Sequence, residues 1–423
     1  MNTALICLEQ LDIGGVETFA ITQIEEFKRR GIKCIVLARD GILSKNIKNK
    51  RNIKYIEFNF ELKNNIDFNK NKEIEKIIEK YKIDFIYIHQ FSCIPYILPA
   101  TFKYKIPYVA YLHNIIPGTL DWFMDHYSIY KSLFPLFFNN ASKIITIAKK
   151  VKEEHQSIFH IDDNKYKVIN NSLDFSKYPD KKVKKNNKEL TKLLLFGRIS
   201  ELKRQSIYTA VDFYNYCKKI NKNTSLTVVG DGEIFDEIKE KYKDTDIVFK
   251  GAVADMKPEI NKADILLGVD RCMLEAVASK KPAVVCGYNN NVVFITPKKI
   301  KKMVEENFGG YSFKDDKAEL FKYTKDDLTK IIEENYQYVK KRLSITNCVY
   351  LDIDKFPNEF DISTYFNELN EKVKLKELNE LIKEENYYIT DELNKIVNSR
   401  RWKMLYRILN FPNGKKRDSK KVK

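Results

Sequence analysis

The apolar residues of the chain fall into two kinds of segment. Short apolar runs have the length of buried strands, and between them apolar residues recur every three or four positions, as on one face of a helix. In the first half the strand-like runs cover residues 4–8, 34–37, 55–58, 85–88, 108–112 and 144–148. Because strand and helix signals alternate, the pattern predicts a parallel, doubly wound α/β sheet, in which ligands bind beyond the carboxyl ends of the strands.

A polar segment divides the chain into two parts. Residues 177–189 contain almost no apolar side chains and are predicted to be a linker, after which strand-like runs resume at Leu193. A chain of 423 residues is also too long for one ordinary core. We therefore expect two α/β domains, residues 1–176 and 190–345, followed by a helical segment at 346–394 and a basic tail at 395–423.

The first predicted strand is followed by a glycine pair. Gly14 and Gly15 precede a segment with helical spacing, so a ligand can approach the backbone closely and the helix start favours a phosphate. The pair is not GxGxxG, which disfavours a dinucleotide site. The alternative is a tight strand-to-helix turn in which Glu17 only favours the helix start.

A second turn, in residues 193–205, combines a glycine with two cations. An apolar run ends at Gly197, and Arg198 and Lys203 follow before a new helical pattern. Cations at the carboxyl end of a strand, beside a helix start, form a candidate diphosphate site. The alternative is an ordinary surface loop. Two histidines, His89 and His113, also directly follow strand-like runs, although a lone histidine in that position is often structural.

Four motifs in register resemble the donor-binding half of a family 4 retaining glycosyltransferase of the GT-B fold. They are GR…K at residues 197–203, VGDG at 229–232, F.G at 249–251 and LEA.A…P at 274–282. The resemblance implies an α/β protein with two Rossmann-like, doubly wound domains facing across a cleft. The N-terminal domain would take the acceptor and the C-terminal domain the nucleotide-sugar donor. The implied activity is that of a bacterial hexosyltransferase in surface-polysaccharide biosynthesis, with a UDP-sugar favoured as donor.

The resemblance also implies roles for individual residues. As catalytic residues it suggests His113, which lies near the donor's anomeric centre in the family, together with Arg198 and Lys203. As donor-binding residues it suggests Gly14, Gly15, Gly197, Gly230, Gly251, Val253, Arg271, Cys272, Met273, Leu274 and Glu275, with Glu17 as a further candidate in the glycine loop. Glu275 would accept hydrogen bonds from both ribose hydroxyls. The resemblance implies no metal, because retaining GT-B enzymes work without a bound metal, and no cofactor, because the nucleotide sugar is a co-substrate.

The sequence departs from the family at one position of the site. The family usually has a second glutamate eight residues before the one at Glu275, but Leu267 stands there and the strand-to-helix loop is about five residues shorter. Asp270 is the only nearby carboxylate, and Arg271 could supply a cation instead. This departure motivates a rival hypothesis, a non-catalytic GT-B partner of another glycosyltransferase. A nucleotide-sugar epimerase shares the fold but fits the motif order poorly.

The positive charge is concentrated at the C-terminus. Residues 395–423 contain eleven Lys or Arg and one Asp, a net charge of 11 − 1 = +10 out of +17 for the whole chain. Aromatic and aliphatic residues such as Trp402 and Leu405 share a helical face there, which suits an anionic bilayer surface. The alternative is a disordered solubilising tail. The mildly basic body disfavours nucleic acid as the principal partner.

Other features predict the cellular compartment. The seven scattered cysteines indicate buried free thiols of a reducing environment, and we expect neither a signal peptide nor a membrane span. We therefore expect a cytoplasmic protein on the inner face of the membrane. The aromatic segment at residues 119–138 is expected to pack on its sheet, or alternatively to face acceptor or membrane. The DxD sequence formed by Asp352 and Asp354 is interpreted as chance.

Overall fold

The computed structural model describes residues 2–12, 14–48, 50–61, 68–113, 133–178, 189–253 and 255–347, together with 391 and 395. The contacts divide the chain into residues 1–360 and 361–423, and the helices and strands described here lie in the first unit. Most of the predicted crossing segment, the tail and the linker lies outside the described residues, as do Cys348 and the DxD pair. Of the aromatic segment, residues 133–138 are described.

The first sheet contains seven parallel strands in the order β3-β2-β1-β4-β5-β6-β7. The strands are β1 (Thr3–Gln10), β2 (Lys33–Arg39), β3 (Ile53–Glu57), β4 (Phe85–Ile88), β5 (Tyr108–Leu112), β6 (Lys143–Thr146) and β7 (Tyr166–Val168). The helices among them are α1 (Gly15–Arg29), α2 (Phe68–Tyr81), α3 (Ile94–Lys103), α4 (Leu133–Asn140) and α5 (Lys149–Phe159). The strand order reverses direction between β1 and β4, so a crevice at the carboxyl ends is expected there.

The second sheet has six strands in the order β10-β9-β8-β11-β12-β13, and only the last pair is antiparallel. The strands are β8 (Lys192–Phe196), β9 (Ser225–Val229), β10 (Val248–Phe249), β11 (Ile265–Gly268), β12 (Ala283–Cys286) and β13 (Val292–Phe294). The helices are α6 (Arg204–Ile220), α7 (Phe235–Lys241), α8 (Lys257–Lys262), α9 (Arg271–Ala278), α10 (Ile300–Glu305) and α11 (Lys325–Arg342). The two sheets confirm the predicted doubly wound α/β architecture.

Continuous apolar strands arise because helices cover both faces of each sheet. In β8, Leu194 and Phe196 belong to one buried cluster, whereas Leu193 and Leu195 belong to the cluster on the opposite face. The side chains of a strand alternate between its faces, so every position of this run is needed for a core. The same apolar runs that identified the strands therefore also fix which sheet positions are central.

Helix α3 departs from what the pattern indicates, whereas helix α4 agrees with it. Helix α3 has no strong helical signal, since Pro99 lies inside it, yet most of its side chains are buried. Helix α4 contains the described end of the aromatic segment. Phe134, Phe137 and Phe138 are at most 2% exposed there, and so this part of the segment packs inside the domain.

The two sheets are joined by the segment after β7 and by the residues after α11. Leu173 donates its backbone N–H to Leu343 O (2.9 Å) and accepts a hydrogen bond at its own carbonyl from Ile345 N (3.0 Å). Ile345 itself is buried in the core of the first sheet. Arg29 of α1 pairs with Asp174 at 2.9 Å. The chain therefore crosses between the sheets twice, and both crossings lie beside each other.

Candidate functional site

The glycine pair of the first domain faces two arginines of the second. Gly14 is extended (φ −166°) and caps α1, where its carbonyl accepts hydrogen bonds from Thr18 N (3.0 Å) and Thr18 Oγ1 (2.7 Å). A Cβ atom at Gly14 would lie 3.0 Å from Nη2 of Arg198, and one at Gly15 would lie 3.9 Å from Cβ and Cδ of Arg271. The fold thus brings together four residues that the sequence proposed for one site.

Glu17 does more than begin a helix. Glu17 is only 5% exposed. A Cβ atom on Gly14 would lie 2.1 Å from the Oε2 atom of Glu17. Burial raises the pKa of Glu17, and the opposing charge of Arg198 does not fully offset that effect. A side chain at position 14 would therefore displace this carboxyl group from its present position.

The glycines of the second domain allow two turns to touch each other. A Cβ at Gly230 would lie 1.8 Å from the carbonyl oxygen of Gly197, and one at Gly232 would lie 2.4 Å from that of Ile199. Both Gly197 (φ +135°) and Gly230 (φ +149°) also have backbone angles that favour glycine. We expected the VGDG glycines to let backbone approach a ligand. The approach that the structure shows is to the neighbouring turn.

The turn after β10 contacts the turn after β9, just as the turns after β8 and β9 contact each other. Gly230 N donates a hydrogen bond to Gly251 O (2.9 Å), and Gly251 has a positive φ of 66°. Val253, two residues further on, is partly buried against the core of the second domain. Gly197, Gly230 and Gly251 therefore lie at the ends of adjacent strands.

Lys203 is held by the carboxylate of Asp270, which also accepts hydrogen bonds from two further donors. The Lys203 Nζ atom is 3.2 Å from Oδ2 of Asp270, which also accepts a hydrogen bond from Tyr288 Oη at 2.7 Å. Asn307 Nδ2 donates to the other carboxylate oxygen at 3.3 Å. Burial lowers the pKa of Lys203, but the charge of Asp270 opposes burial and the pKa is raised overall. Lys203 is therefore a fixed cation at the predicted phosphate site.

The backbone of Asp270 is strained. The loop between β11 and α9 is only two residues long, and Asp270 has φ 57° and ψ −141°, a conformation that costs a residue with a side chain on the order of 1–3 kcal/mol. The shortened loop, which was evident from the sequence, accounts for this strain. The strain places the Asp270 carboxylate beside Lys203.

The Asp270 cluster extends to the crossing between the domains. Asn171, in the segment after β7, donates from Nδ2 to Oδ1 of Asn307 at 2.8 Å. Asn307 in turn donates to Asp270, and Asp270 contacts Lys203. A continuous polar chain thus connects the predicted phosphate-binding lysine with the first domain.

Arg271 and Glu275 form a pair on the first turns of α9. Their Nε and Oε1 atoms are 3.2 Å apart, and Arg271 Nη1 donates to the carbonyl of Ser172 at 3.2 Å. Arg271 is 6% exposed, and burial raises the pKa of Glu275 against the opposing charge of Arg271. We expected Glu275 to accept ribose hydroxyls and Arg271 to assist the phosphate. In this structure each already has a partner.

The other residues of α9 contribute unequally. Met273 and Leu274 are fully buried, and the Met273 N–H donates to the Asp270 carbonyl at 3.0 Å. The expectation that all three amides of residues 272–274 are available to a diphosphate is therefore wrong for Met273. Cys272 is half-buried, and its Sγ atom would lie 2.9 Å from a Cβ on Gly197. It is the one described cysteine that departs from the expected full burial.

His113 and His89 form one buried cluster. The Nε2 atom of His113 is 3.0 Å from Nδ1 of His89, and Nε2 of His89 is 3.0 Å from Oε1 of Gln23. Gln23 Nε2 donates to Tyr111 Oη at 2.6 Å. Burial lowers the pKa of His113 to about 3, with the charge of Arg271 acting in the same direction. Burial and then the neighbouring His113 lower the pKa of His89 well below its usual range.

Of the two cavities described below, only the smaller is lined by residues proposed for the donor site. A narrow crevice of ≈ 10 Å³ is lined by Gly197, Arg198, Lys203 and Gly268 among others. A larger cavity of ≈ 530 Å³ lies between α7 and the edge strand β10, lined by residues such as Lys239. None of the residues proposed for the donor site lines the larger cavity. We therefore place the candidate site at the crevice, where the charged groups meet.

The described residues offer neither a cluster of metal ligands nor a membrane-spanning helix. No group of three or more His, Cys, Asp or Glu side chains within this part of the chain has an arrangement that could hold a metal ion. No helix among the same residues is both long and apolar enough to cross a bilayer.

Several residues of the site had no signal in the sequence. Gln23, Tyr288 and Asn307 are common polar types, and none belongs to a recognisable motif. Each became a candidate only because the fold places it against His89 or Asp270. Neighbouring strand ends were the one available clue, since β4 and β5 are adjacent and place His89 and His113 together.

Similar folds occur among solved structures. HepE from Anabaena in complex with UDP and glucose is 16% identical, covers 82% of this chain and 96% of its own, and has a TM-score of 0.60. WaaG, a glycosyltransferase involved in lipopolysaccharide biosynthesis, is 13% identical over 81% and 97%, with a TM-score of 0.55. A point mutant of TarM from S. aureus, in complex with Fondaparinux, alpha-GlcNAc-glycerol and UDP, is 12% identical over 88% and 100%, with a TM-score of 0.56.

The two sheets and these structural neighbours define a protein of the GT-B fold. Residues 13–177 match the family model described as Glycosyltransferase Family 4, which confirms the resemblance to that family. The match lies in the first domain, whereas the four motifs lie in the second, so the two observations are independent. Family model and fold together support a glycosyltransferase. No curated protein sequence matches the chain.

Proposed function

We propose that the protein is a retaining, metal-independent glycosyltransferase that moves a sugar from a UDP-sugar to a lipid-linked or surface glycan acceptor. The observation that carries the proposal is that Arg198 and Lys203 line one crevice of the second domain, from which Arg198 reaches Gly14 of the first domain. Fixed cations at this point would stabilise a departing diphosphate, which is the electrostatic form of catalysis. The UDP and UDP-glucose complexes of HepE are consistent with such a donor.

Arg198 and Lys203 would bind the diphosphate from two different positions. Arg198 reaches the glycine turn of the first domain, and Lys203 stands at the start of α6 beside Asp270. A diphosphate between them would be bound by charge-assisted hydrogen bonds, which are stronger than neutral ones. Closure of the cleft would exclude water and protect the donor from hydrolysis.

The test is sugar transfer by the full chain from a panel of UDP-sugars and GDP-sugars to lipid-linked acceptors. We expect transfer with a UDP-sugar, retention of the anomeric configuration and no effect of EDTA. Transfer abolished by EDTA and restored by Mn²⁺ would contradict metal independence. An inverted product would contradict the retaining mechanism.

The second candidate is a non-catalytic GT-B partner of another glycosyltransferase. It is favoured by one observation, that Asp270, the nearest substitute for the missing glutamate, already accepts hydrogen bonds from Tyr288 and Asn307 and pairs with Lys203. Under this hypothesis the chain binds nucleotide weakly or not at all, and transfers no sugar with any donor in the panel.

We also propose that the protein acts on the cytoplasmic face of the membrane, held there by residues 395–423. The support is the net charge of 11 − 1 = +10 in this segment, beside aromatic and aliphatic residues at helical spacing. A lipid-linked acceptor would be delivered at the same surface.

A further inference from the structure

A buried hydrogen-bonded chain leads from α1 to the candidate catalytic histidine. It runs from Gln23 through His89 to His113, and the exposures are 0%, 3% and 8% respectively. The ring of His89 is stacked with Tyr111 (4.6 Å between centroids) and with His113 (5.3 Å), which also contact each other (5.9 Å). The chain is thus held both by hydrogen bonds and by ring contacts, and water has little access to it.

The direction of the hydrogen bonds follows from the chemistry of the partners. A neutral imidazole has one N–H donor and one acceptor nitrogen. The amide oxygen of Gln23 can only accept, so Nε2 of His89 must carry the proton. Nδ1 of His89 is then an acceptor, and the hydrogen bond of 3.0 Å to His113 requires the proton to be on His113 Nε2.

The second nitrogen of His113 is left as an acceptor. Because Nε2 carries the proton, Nδ1 has a lone pair, and no described residue donates a hydrogen bond to it. His113 lies at the end of β5, near enough to Arg271 of the second domain for that charge to act on it. A hydroxyl group of a bound sugar is a suitable donor to a neutral nitrogen in this position.

We propose that Gln23 and His89 are positioning residues that fix the tautomer of His113, so that its Nδ1 atom faces the donor sugar as a hydrogen-bond acceptor. This inference rests on the proposed transferase function. Gln23 does not touch His113, and its influence passes through His89. The arrangement also excludes His113 as a proton donor to the substrate, since its only proton is used in the bond to His89.

The experiment measures the tautomer directly in the full chain labelled with ¹⁵N-histidine. Spectra that correlate ring protons with ring nitrogens separate protonated from unprotonated nitrogens, and His113→Gln assigns the signals of that residue among the five histidines. In the unchanged protein we expect His113 to be protonated at Nε2 alone. A proton on Nδ1 instead would overturn the proposal.

Substitutions of Gln23 and His89, the residues that hold His113, provide the decisive comparison. Gln23→Met removes the acceptor oxygen with little change of volume, so His113 should become a mixture of tautomers and kcat should fall about two- to fivefold, following the fraction of molecules in the competent state. His89→Leu should produce the same mixture. His89→Gln can accept from His113 and donate to Gln23, and should keep the single tautomer. A single Nε2–H tautomer in Gln23→Met would refute the role of Gln23.

A matched control is available in the same domain. His155 is also fully buried, burial lowers its pKa to about 3, and it pairs with Tyr166 Oη at 2.7 Å. His155→Gln should change neither the tautomer of His113 nor kcat. If the tautomers behave as expected but no variant transfers sugar, the proposed function has failed while the proton arrangement stands. If transfer occurs with His113 protonated at Nδ1, only the present inference has failed.

Discussion

The clearest test of the donor site is the replacement of Lys203 by methionine. A charge-assisted hydrogen bond to phosphate contributes about 1.5–3 kcal/mol. Lys203 must first leave Asp270, from which it is 3.2 Å away, and both side chains keep about a quarter of their exposure, 22% and 26%. A partly exposed pair of this kind is worth about 0–1 kcal/mol.

The expected loss of UDP affinity is the free energy of the hydrogen bond to phosphate minus that of the Lys203–Asp270 pair. Subtracting the pair with Asp270 leaves a net loss of about 0.5–3 kcal/mol for Lys203→Met, which corresponds to a UDP affinity about 2-fold to about 150-fold weaker. Asp270→Asn keeps an acceptor oxygen for Tyr288 but removes the charge that competes with phosphate. It should therefore bind UDP up to about fivefold more tightly.

Isothermal titration calorimetry with UDP measures both effects. Lys218 supplies the control, because it lies in the last turn of α6, the helix that Lys203 precedes, and pairs with Asp246 as Lys203 pairs with Asp270. Lys218→Met should leave UDP binding unchanged. If Lys203→Met binds UDP as the unchanged protein does, or if both lysine variants lose the same affinity, the assignment of Lys203 to the phosphate site is wrong.

Three further predictions concern stability and location. Burial lowers the pKa of His113 and His155 to about 3, so below pH 6.5 the unfolded chain binds more protons than the folded one. The free energy of unfolding should therefore decrease as the pH is lowered, by up to about 2 kcal/mol per histidine at pH 5. Urea titrations that show no pH dependence would contradict this. Arg271→Met leaves the Glu275 carboxylate without its partner and should cost about 2–3 kcal/mol in the same titrations, whereas a cost below about 0.5 kcal/mol would mean that the pair is not structural. A chain ending at Asn394 should bind UDP normally but no longer sediment with anionic vesicles, and equal sedimentation of both forms would make the tail a solubilising extension.

The pattern of apolar residues was sufficient for the fold. Strands β4 (Phe85–Ile88) and β5 (Tyr108–Leu112) have the bounds that the sequence predicts, and the strand-like run of β8 begins within one residue of Leu193. A strand buried on both faces of a parallel sheet has a local run of apolar residues, so it can be recognised from its own sequence alone. Helix α3 was not predicted because Pro99 interrupts its helical pattern of apolar residues.

The motifs in the sequence also identified which loops carry charge, but not how the charges are paired. Arg198 and Gly14 are distant in sequence and meet only because the two domains face each other. The partners of Asp270 come from a loop after β12 and a turn after α10, and nothing periodic connects them. Hydrogen bonds between loops depend on which strand ends the topology brings together. The sequence therefore determined the elements and the candidate cations, whereas only the tertiary structure decided that Lys203 is held by Asp270 and that His113 is held, through His89, by Gln23.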